Sequence, residues 1–282
     1  YNPISFVNAC RNKPDGFFMM DSDVFDQNDA GEFLSLFLDK VETSLKYAGT
    51  AKQIALNSNT PKLDGNAENT DAIPEKGTWN LVKHSFVGEY AHQMIILDDN
   101  NRLKERTEPF YNLTLEVKNN ANVQTSLSKM IQDEILQGEN SYYDDVLQKK
   151  VRAIKRLRIK RLPPILILQL KRFELNYDTF EKVKLNDKYV FPDILDMQPY
   201  MSESSTGSSS TLYRLSGILI HAGGANAGHY YSYIKDRNDW RDEREDCVGS
   251  GTSVTGLNLN DNWLKFNDDD VDFFDTTNIP QE

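Results

Sequence analysis

The stretch HAGGANAGHYYSYI, residues 221–234, holds two of the four histidines in the chain. A loop of small residues, GGANAG, separates the apolar run YRLSGILIHA from HYYSYIKD, and both runs read as strands. His229 stands at the mouth of the second strand, where neighbouring glycines keep the space around it open. A further short strand, NWLKFNDDDV, lies near the C-terminus. If strand 229–235 pairs antiparallel with strand 263–267, the start of one lies beside the end of the other, and His229 meets Asn267 and Asp268. An imidazole oriented through one ring nitrogen, with the other nitrogen free, is the arrangement a general base needs. A histidine that merely caps a strand beside an Asn-Asp turn satisfies the same spacing.

Working outward, DAGEFLSLFLDKVETSLKYAG places apolar residues at 30, 33, 34, 37, 38, 41, 45 and 48 on one face of a helix, with Gly49 suited to its C-terminal stop. Residues 50–77 are polar and rich in Asn and read as a mobile connection. FYNLTLEV is the best strand of the β-rich stretch that follows. A helix is expected from Ser126 to Leu136, stopped by Gly138. The apolar run of LPPILILQLKRF reads as fully buried in a sheet. MSESSTGSSST, residues 201–211, and the acidic segment of about 236–260 read as flexible insertions. Strands and helices alternate without regular βαβ spacing, which predicts an α+β fold rather than a doubly wound one.

With 282 residues, 39% hydrophobic and 27% charged, the chain can build a sizeable core. Its longest apolar run, Ile165 to Leu168, is far too short to span a bilayer. The first residues lack the basic start and apolar stretch of a secretory signal. Cys10 and Cys247 do not make a disulfide framework, which favours a reducing compartment, cytoplasmic or nuclear, and makes the Asn112-Leu113-Thr114 sequon a chance match. The net charge of −11 argues against nucleic acid or an anionic membrane as the main partner and favours a basic one. From Lys149 to Arg161 the run is strongly basic, but Leu157 and Ile159 alternate with its charges as on a half-exposed strand, and it carries no interleaved aromatics. His84 and His92 read as surface histidines. His221, at the end of its strand, reads as structural or as part of a binding groove.

Several of these blocks together resemble the ubiquitin-specific proteases, cysteine peptidases with a papain-like core. GHYYSYI followed by WLKFNDDDV is similar to the family's histidine box. LPPILILQLKRF, FPDILDMQPY, ERTEPFYNLTLEV and SLSKMIQDEILQGENSYY follow the family order, and DQNDAGEFL resembles its Gln-Gln-Asp-Ala-x-Glu-Phe motif. The spelling is nearest the very large fat-facets type. The resemblance implies an α+β, thumb–fingers–palm architecture: a thumb remnant over 1–49, the connection 50–77, fingers over 78–160 and a palm over 161–282. It implies His229 as the general base, Asn267 as the third triad member and Asp268 as a supporting group. It further implies ubiquitin as partner, with Gln27, Asp29, Glu32, His221, Tyr230 and Tyr231 binding it. Asp29 and Glu32 would meet its basic C-terminal tail, which suits the acidic charge. Those two also spell a helix capping box, and both roles can hold together.

Two departures from the family pattern stand out. The fingers of the family often carry two Cys-x-x-Cys pairs for a structural zinc. Here Asp144 and Leu147 occupy the second pair's ligand positions in YYDDVLQKK, and AHQMIILDDNN lacks the first pair. These residues cannot build a tetrahedral zinc site, so no metal and no cofactor is expected. The family's nucleophile lies in an N-terminal Gly-Asn-Thr-Cys-Tyr box that has no counterpart before Gln27, and FFDTTNIPQE stops short of an aromatic closing strand. The expectation is therefore a fragment that carries the base and not the nucleophile. Cys10 shares helical spacing with Ile4 and Val7 and reads as a core residue, since Pro14 and Gly16 would end any helix behind it. Carboxylates beside Cys247 would keep it a thiol. The resulting reading is part of a thiol-dependent deubiquitinase that cleaves after ubiquitin's C-terminal glycine. A non-catalytic ubiquitin-binding module or pseudoenzyme is the alternative.

Overall fold

The computed structural model describes Ser5 and residues 29–58, 80–202, 210–236 and 263–274. Gln27, Cys10, Cys247, the connection from 59 to 77 and most of both expected insertions lie outside the described residues.

Helix α1 (Ala30–Ser58) begins at Asp29, whose Oδ1 accepts from the N–H groups of Gly31 and Glu32 at 2.8 and 3.0 Å. This bond satisfies donors that the first helical turn cannot satisfy itself. The helix does not stop at Gly49. It continues to Ser58, because one interior glycine costs only about 1 kcal/mol and the following TAKQIAL is rich in helix formers. A short helix α2 (Leu81–Phe86) is capped by Asn80. It leads into an antiparallel sheet of order β2-β1-β7-β4, formed by β1 (Gly88–Ile96), β2 (Arg102–Phe110), β7 (Ala153–Arg161) and β4 (Glu134–Leu136). The β1–β2 turn places Asn100 and Asn101 at φ of 48° and 57°, the left-handed region that Asn tolerates better than most residues. A hairpin of β5 (Tyr142–Asp144) and β6 (Lys149–Val151) follows β4.

The basic run forms β6 and β7, with most of its charges on β7. Ile159 and Ala153 point inward with no exposed surface, and its charges meet acids of neighbouring segments: Arg158 with Asp133 at 2.7 Å, Lys160 with Glu105, and Arg161 with Glu89 at 3.0 Å. These β7 charges are therefore met locally.

The main core joins Phe110, Leu113, Leu115, Leu127, Ile159 and Met197, among others. Helix α3 (Val123–Met130) contributes Val123 and Leu127 to it. This helix starts earlier and ends earlier than the sequence suggests. Asn122 Oδ1 caps it by accepting from the Thr125 N–H at 2.8 Å, and the chain turns out at Ile131 so that Ile135 can pair with Ile154 in β7. FYNLTLEV is likewise two strands, β2 and β3 (Leu113–Glu116), broken at Tyr111 and Asn112. Those side chains leave the ladder to reach Glu42 and Gln169. β3 pairs parallel with β8 (Leu168–Lys171), the final part of the apolar run. That run is only half-buried, with Ile165 exposed, because β8 has a single strand neighbour.

Two small pairs follow: β9 (Phe173–Leu175) with β10 (Lys182–Lys184), and β11 (Ile194–Asp196) with β12 (Leu212–Arg214). The last sheet runs β13-β14-β15-β16, with β13 (Gly217–Gly223), β14 (Gly228–Lys235), β15 (Trp263–Asn267) and β16 (Asp270–Phe274), all antiparallel. Strand pairing dominates and the helices are few, giving an α+β fold.

Candidate active site

β14 and β15 pair with Ser232 opposite Phe266 and Lys235 opposite Trp263. Continuing that register puts Tyr231 across from Asn267. His229, two residues earlier, lies diagonally on the same face of the sheet. The side chains meet: His229 Nε2 is 2.6 Å from Asn267 Oδ1. An amide oxygen only accepts, so Nε2 carries the proton and donates, and the lone pair of the neutral ring sits on Nδ1. Asp268 Oδ2 stands 3.7 Å from the same Nε2, too far for a hydrogen bond but close enough to attract an imidazolium. Asp268 occupies the β15–β16 turn at φ of 53°, which fixes where its neighbour Asn267 ends the strand. The His229 side chain is 47% exposed, so a reacting group can approach the ring.

Strand alternation sends the other expected residues to two places. Tyr231 shares the His229 face, packs edge-on against Tyr233 at 5.7 Å, and lies under the Lys265 ammonium at 5.1 Å. His221 and Tyr230 face each other on the opposite side, their rings 4.8 Å apart, and Phe173 closes on His221 at 5.3 Å. Burial first, and then the Lys184 ammonium, push the His221 pKa below its ordinary value, while the Asp29 charge partly opposes them. The charge of the α1 N-terminus is thus felt at this second group. Glu32 is exposed on the first turn of α1. His92 lies on the surface of β1, 3.6 Å from Glu108.

Sequence reasoning missed a set of polar anchors around these residues. Gln169 of β8 presses on Gly31 so closely that a Cβ there would sit 2.4 Å from its amide nitrogen. Asn112 holds the same amide from the other side, donating to its oxygen at 3.2 Å. Lys184 and Arg172 each donate to two backbone carbonyls. The cations in LQLKRF and KVKL were the visible signal, since charges set among apolar positions need buried or half-buried acceptors.

At the position expected for a lost zinc ligand, Asp144 is wholly buried. It pairs with Lys104 Nζ at 2.7 Å and Arg102 Nη2 at 2.9 Å, and accepts from the Leu147 and Val146 N–H groups at 2.9 and 3.0 Å. The Lys104 ammonium, ahead of the two N–H groups and Arg102, holds its carboxyl well below the usual carboxylate range. Leu147 packs on the small cluster of Ile96, Val151 and Ala153. Two cations thus surround this carboxylate. Among the described residues no group of three or more His, Cys, Asp or Glu side chains gathers around a common point, and no helix is long and apolar enough to cross a membrane.

Residues 1–281 match the family described as ubiquitin carboxyl-terminal hydrolase. The chain is 33% identical over 224 residues to ubiquitin carboxyl-terminal hydrolase 9X of Mus musculus, covering 71% of this chain and 8% of that protein. It is 33% identical over 183 residues to the probable ubiquitin carboxyl-terminal hydrolase FAF of Drosophila melanogaster, covering 60% of this chain and 7% of that one. Among solved structures, a chain of the SAGA Ubp8/Sgf11/Sus1/Sgf73 DUB module bound to ubiquitin aldehyde superposes with a TM-score of 0.62 at 23% identity, over 90% of this chain and 47% of that chain. A chain of the yeast SAGA DUBm with an Sgf73 mutant gives a TM-score of 0.65 at 25% identity, over 90% and 48%. The chain therefore spans less than a tenth of these two curated relatives and about half of the solved chains.

Proposed function

The chain belongs to the ubiquitin carboxyl-terminal hydrolase family, and from that premise we propose that it forms part of a thiol-dependent deubiquitinase in which His229 is the general base and Asn267 orients it. The observation that carries this reading is the 2.6 Å contact of His229 Nε2 with Asn267 Oδ1. It commits the ring to the tautomer whose Nδ1 can take a proton from a thiol. The resulting imidazolium is stabilised by the Asn267 oxygen and by Asp268 nearby, and returns the proton to the leaving amine when the bond after ubiquitin's C-terminal glycine breaks. Asp29, Glu32, Gln27, His221, Tyr230 and Tyr231 are assigned to ubiquitin, the two acids to its basic tail. In this assignment residues 78–160 act as fingers and 161–282 as palm. Neither Cys10 nor Cys247 has the sequence setting of a nucleophile, so the thiolate comes from elsewhere in the protein.

The test is hydrolysis of a ubiquitin C-terminal fluorogenic amide by the full-length protein. His229→Ala should lower kcat by about 10³-fold, within the usual range for loss of a general base. Asn267→Ala should cost less, since it orients the ring and does not exchange the proton. Turnover that survives His229→Ala sinks the assignment. Ubiquitin binding with no turnover in the full-length parent moves the protein to the non-catalytic reading.

A further inference from the structure

β13 is an edge strand of the sheet that carries His229. The outward carbonyls of an edge strand have no strand partner and are satisfied by water or by another donor. At the end nearest the candidate site a side chain supplies that donor. Lys184 Nζ donates to His221 O at 2.7 Å and to Gly223 O at 2.9 Å. These residues flank Ala222, the cross-strand partner of His229.

The strand ends held by this ammonium are tightly coupled to each other. Gly223 adopts φ of +105°, and a Cβ on Gly228 would lie 2.2 Å from Ala222 O and 2.4 Å from His221 Nε2. With no slack between 221–223 and 228–229, a shift of one strand end moves the other. Lys184 is itself anchored from the core side. The Arg172 guanidinium donates to Leu185 O and Asp187 O, both at 3.0 Å, and Leu185 N donates back to Arg172 O at 2.6 Å. Arg172 directly follows β8, which pairs with β3, whose Leu113 and Leu115 are buried in the main core. The connection runs from the core through Arg172 to residues 185–187, then through Lys184 to the base of the hairpin that bears His229.

We propose that Lys184 is a positioning residue for His229: its ammonium clamps the edge carbonyls on either side of the base's cross-strand partner and fixes where the imidazole stands. This rests on the reading of His229 as the general base. An ammonium suits the task because its three donors can serve two carbonyls at once. Burial, and then the nearby Arg172 charge, lower its pKa.

Two measurements test the clamp and separate it from the catalytic reading. In the 282-residue chain labelled with ¹³C-histidine, the Cε1–H signal of His229 is identified by its loss in His229→Ala. Lys184→Met should shift or broaden the His229 signal while leaving those of His84 and His92 in place, and Lys184→Arg should restore it. In the full-length protein Lys184→Met should lower kcat about tenfold, short of the roughly hundredfold cost of a 1 Å misplacement, with KM within about twofold, and Lys184→Arg should recover most of the rate. If Lys184→Met does not fold, Lys184→Gln carries both measurements. An unchanged His229 signal in a folded Lys184 variant overturns the proposal, as does a loss that appears in KM alone. A shifted signal in a parent without turnover upholds the clamp and overturns only the assignment of catalysis.

Discussion

Asp29 can serve as a helix cap, as a ligand for a cationic peptide, or as both, and one pair of substitutions separates these roles. Among the described residues both of its cap bonds fall on Oδ1, from the Gly31 and Glu32 N–H groups, so Oδ2 can meet an arginine of the ubiquitin tail without breaking the cap. Asn caps helices about as well as Asp. Asp29→Asn therefore keeps the cap and removes the charge, while Asp29→Ala removes both. Cap loss costs about 1 kcal/mol, which lowers Tm by roughly 2–4 °C in a domain of this size. A hydrogen bond to a charged partner contributes about 1.5–3 kcal/mol. Asp29 is only half-buried, so the lower end applies, and ubiquitin binding should weaken about tenfold. The expected pattern is an Asn variant with nearly parental Tm and about tenfold weaker binding by calorimetric titration, and an Ala variant that loses both. If Asp29→Asn binds ubiquitin as tightly as the parent, the carboxylate is a cap and nothing more.

Removing divalent metal with a chelator should leave Tm unchanged, whereas Asp144→Ala should lower it; stoichiometric zinc in purified protein would refute the view that cations do this job. The depressed Asp144 pKa means that its stabilisation is present above about pH 4, the unfolded value, and is lost as pH falls through the lower folded value, so Asp144→Ala should flatten the acid limb of a Tm-versus-pH series. Tyr213 gives the opposite limb. Burial pushes its hydroxyl up to about 12 while it donates to Pro163 O at 2.5 Å, so its contribution is intact below about pH 10 and fades towards pH 12. Tyr213→Phe should shrink that alkaline loss, and an identical alkaline slope would contradict this. Leu127→Ala removes a fully buried core side chain and should cost about 2–5 kcal/mol in urea unfolding; a loss below about 1 kcal/mol would mean that α3 is not packed into the main core as described.

The placement of His229 beside Asn267 was legible because it depends on period-two alternation and a glycine-bounded loop, both local signals, plus one pairing of two short strands. The Asp29 cap was legible for a similar reason, since its acceptor and donors lie within three residues. What could not be read were features decided by distant partners. Lys184 looks like one of many surface lysines until β13, 37 residues away, brings its carbonyls. The break at Tyr111 and Asn112 follows from Glu42 and Gln169, which no window around FYNLTLEV contains. The extension of α1 beyond Gly49 shows a different limit. A glycine is a stop only when the next residues do not repay its cost, and here they favour helix.

His229 and Asn267 stand 38 residues apart in sequence, yet they sit on adjacent, paired strands. What keeps imidazole and amide together is the β14–β15 ladder. Closing a flexible connection between two paired strands grows costlier only logarithmically, by about 0.6 kcal/mol for each doubling of its length. The connection is therefore a site at which evolution or an engineer can splice in new sequence, a sensor or a docking module, a few residues along the chain from the reactive pair and at small thermodynamic cost. Sequence variety among relatives should concentrate there, while the two flanking strands keep their spacing.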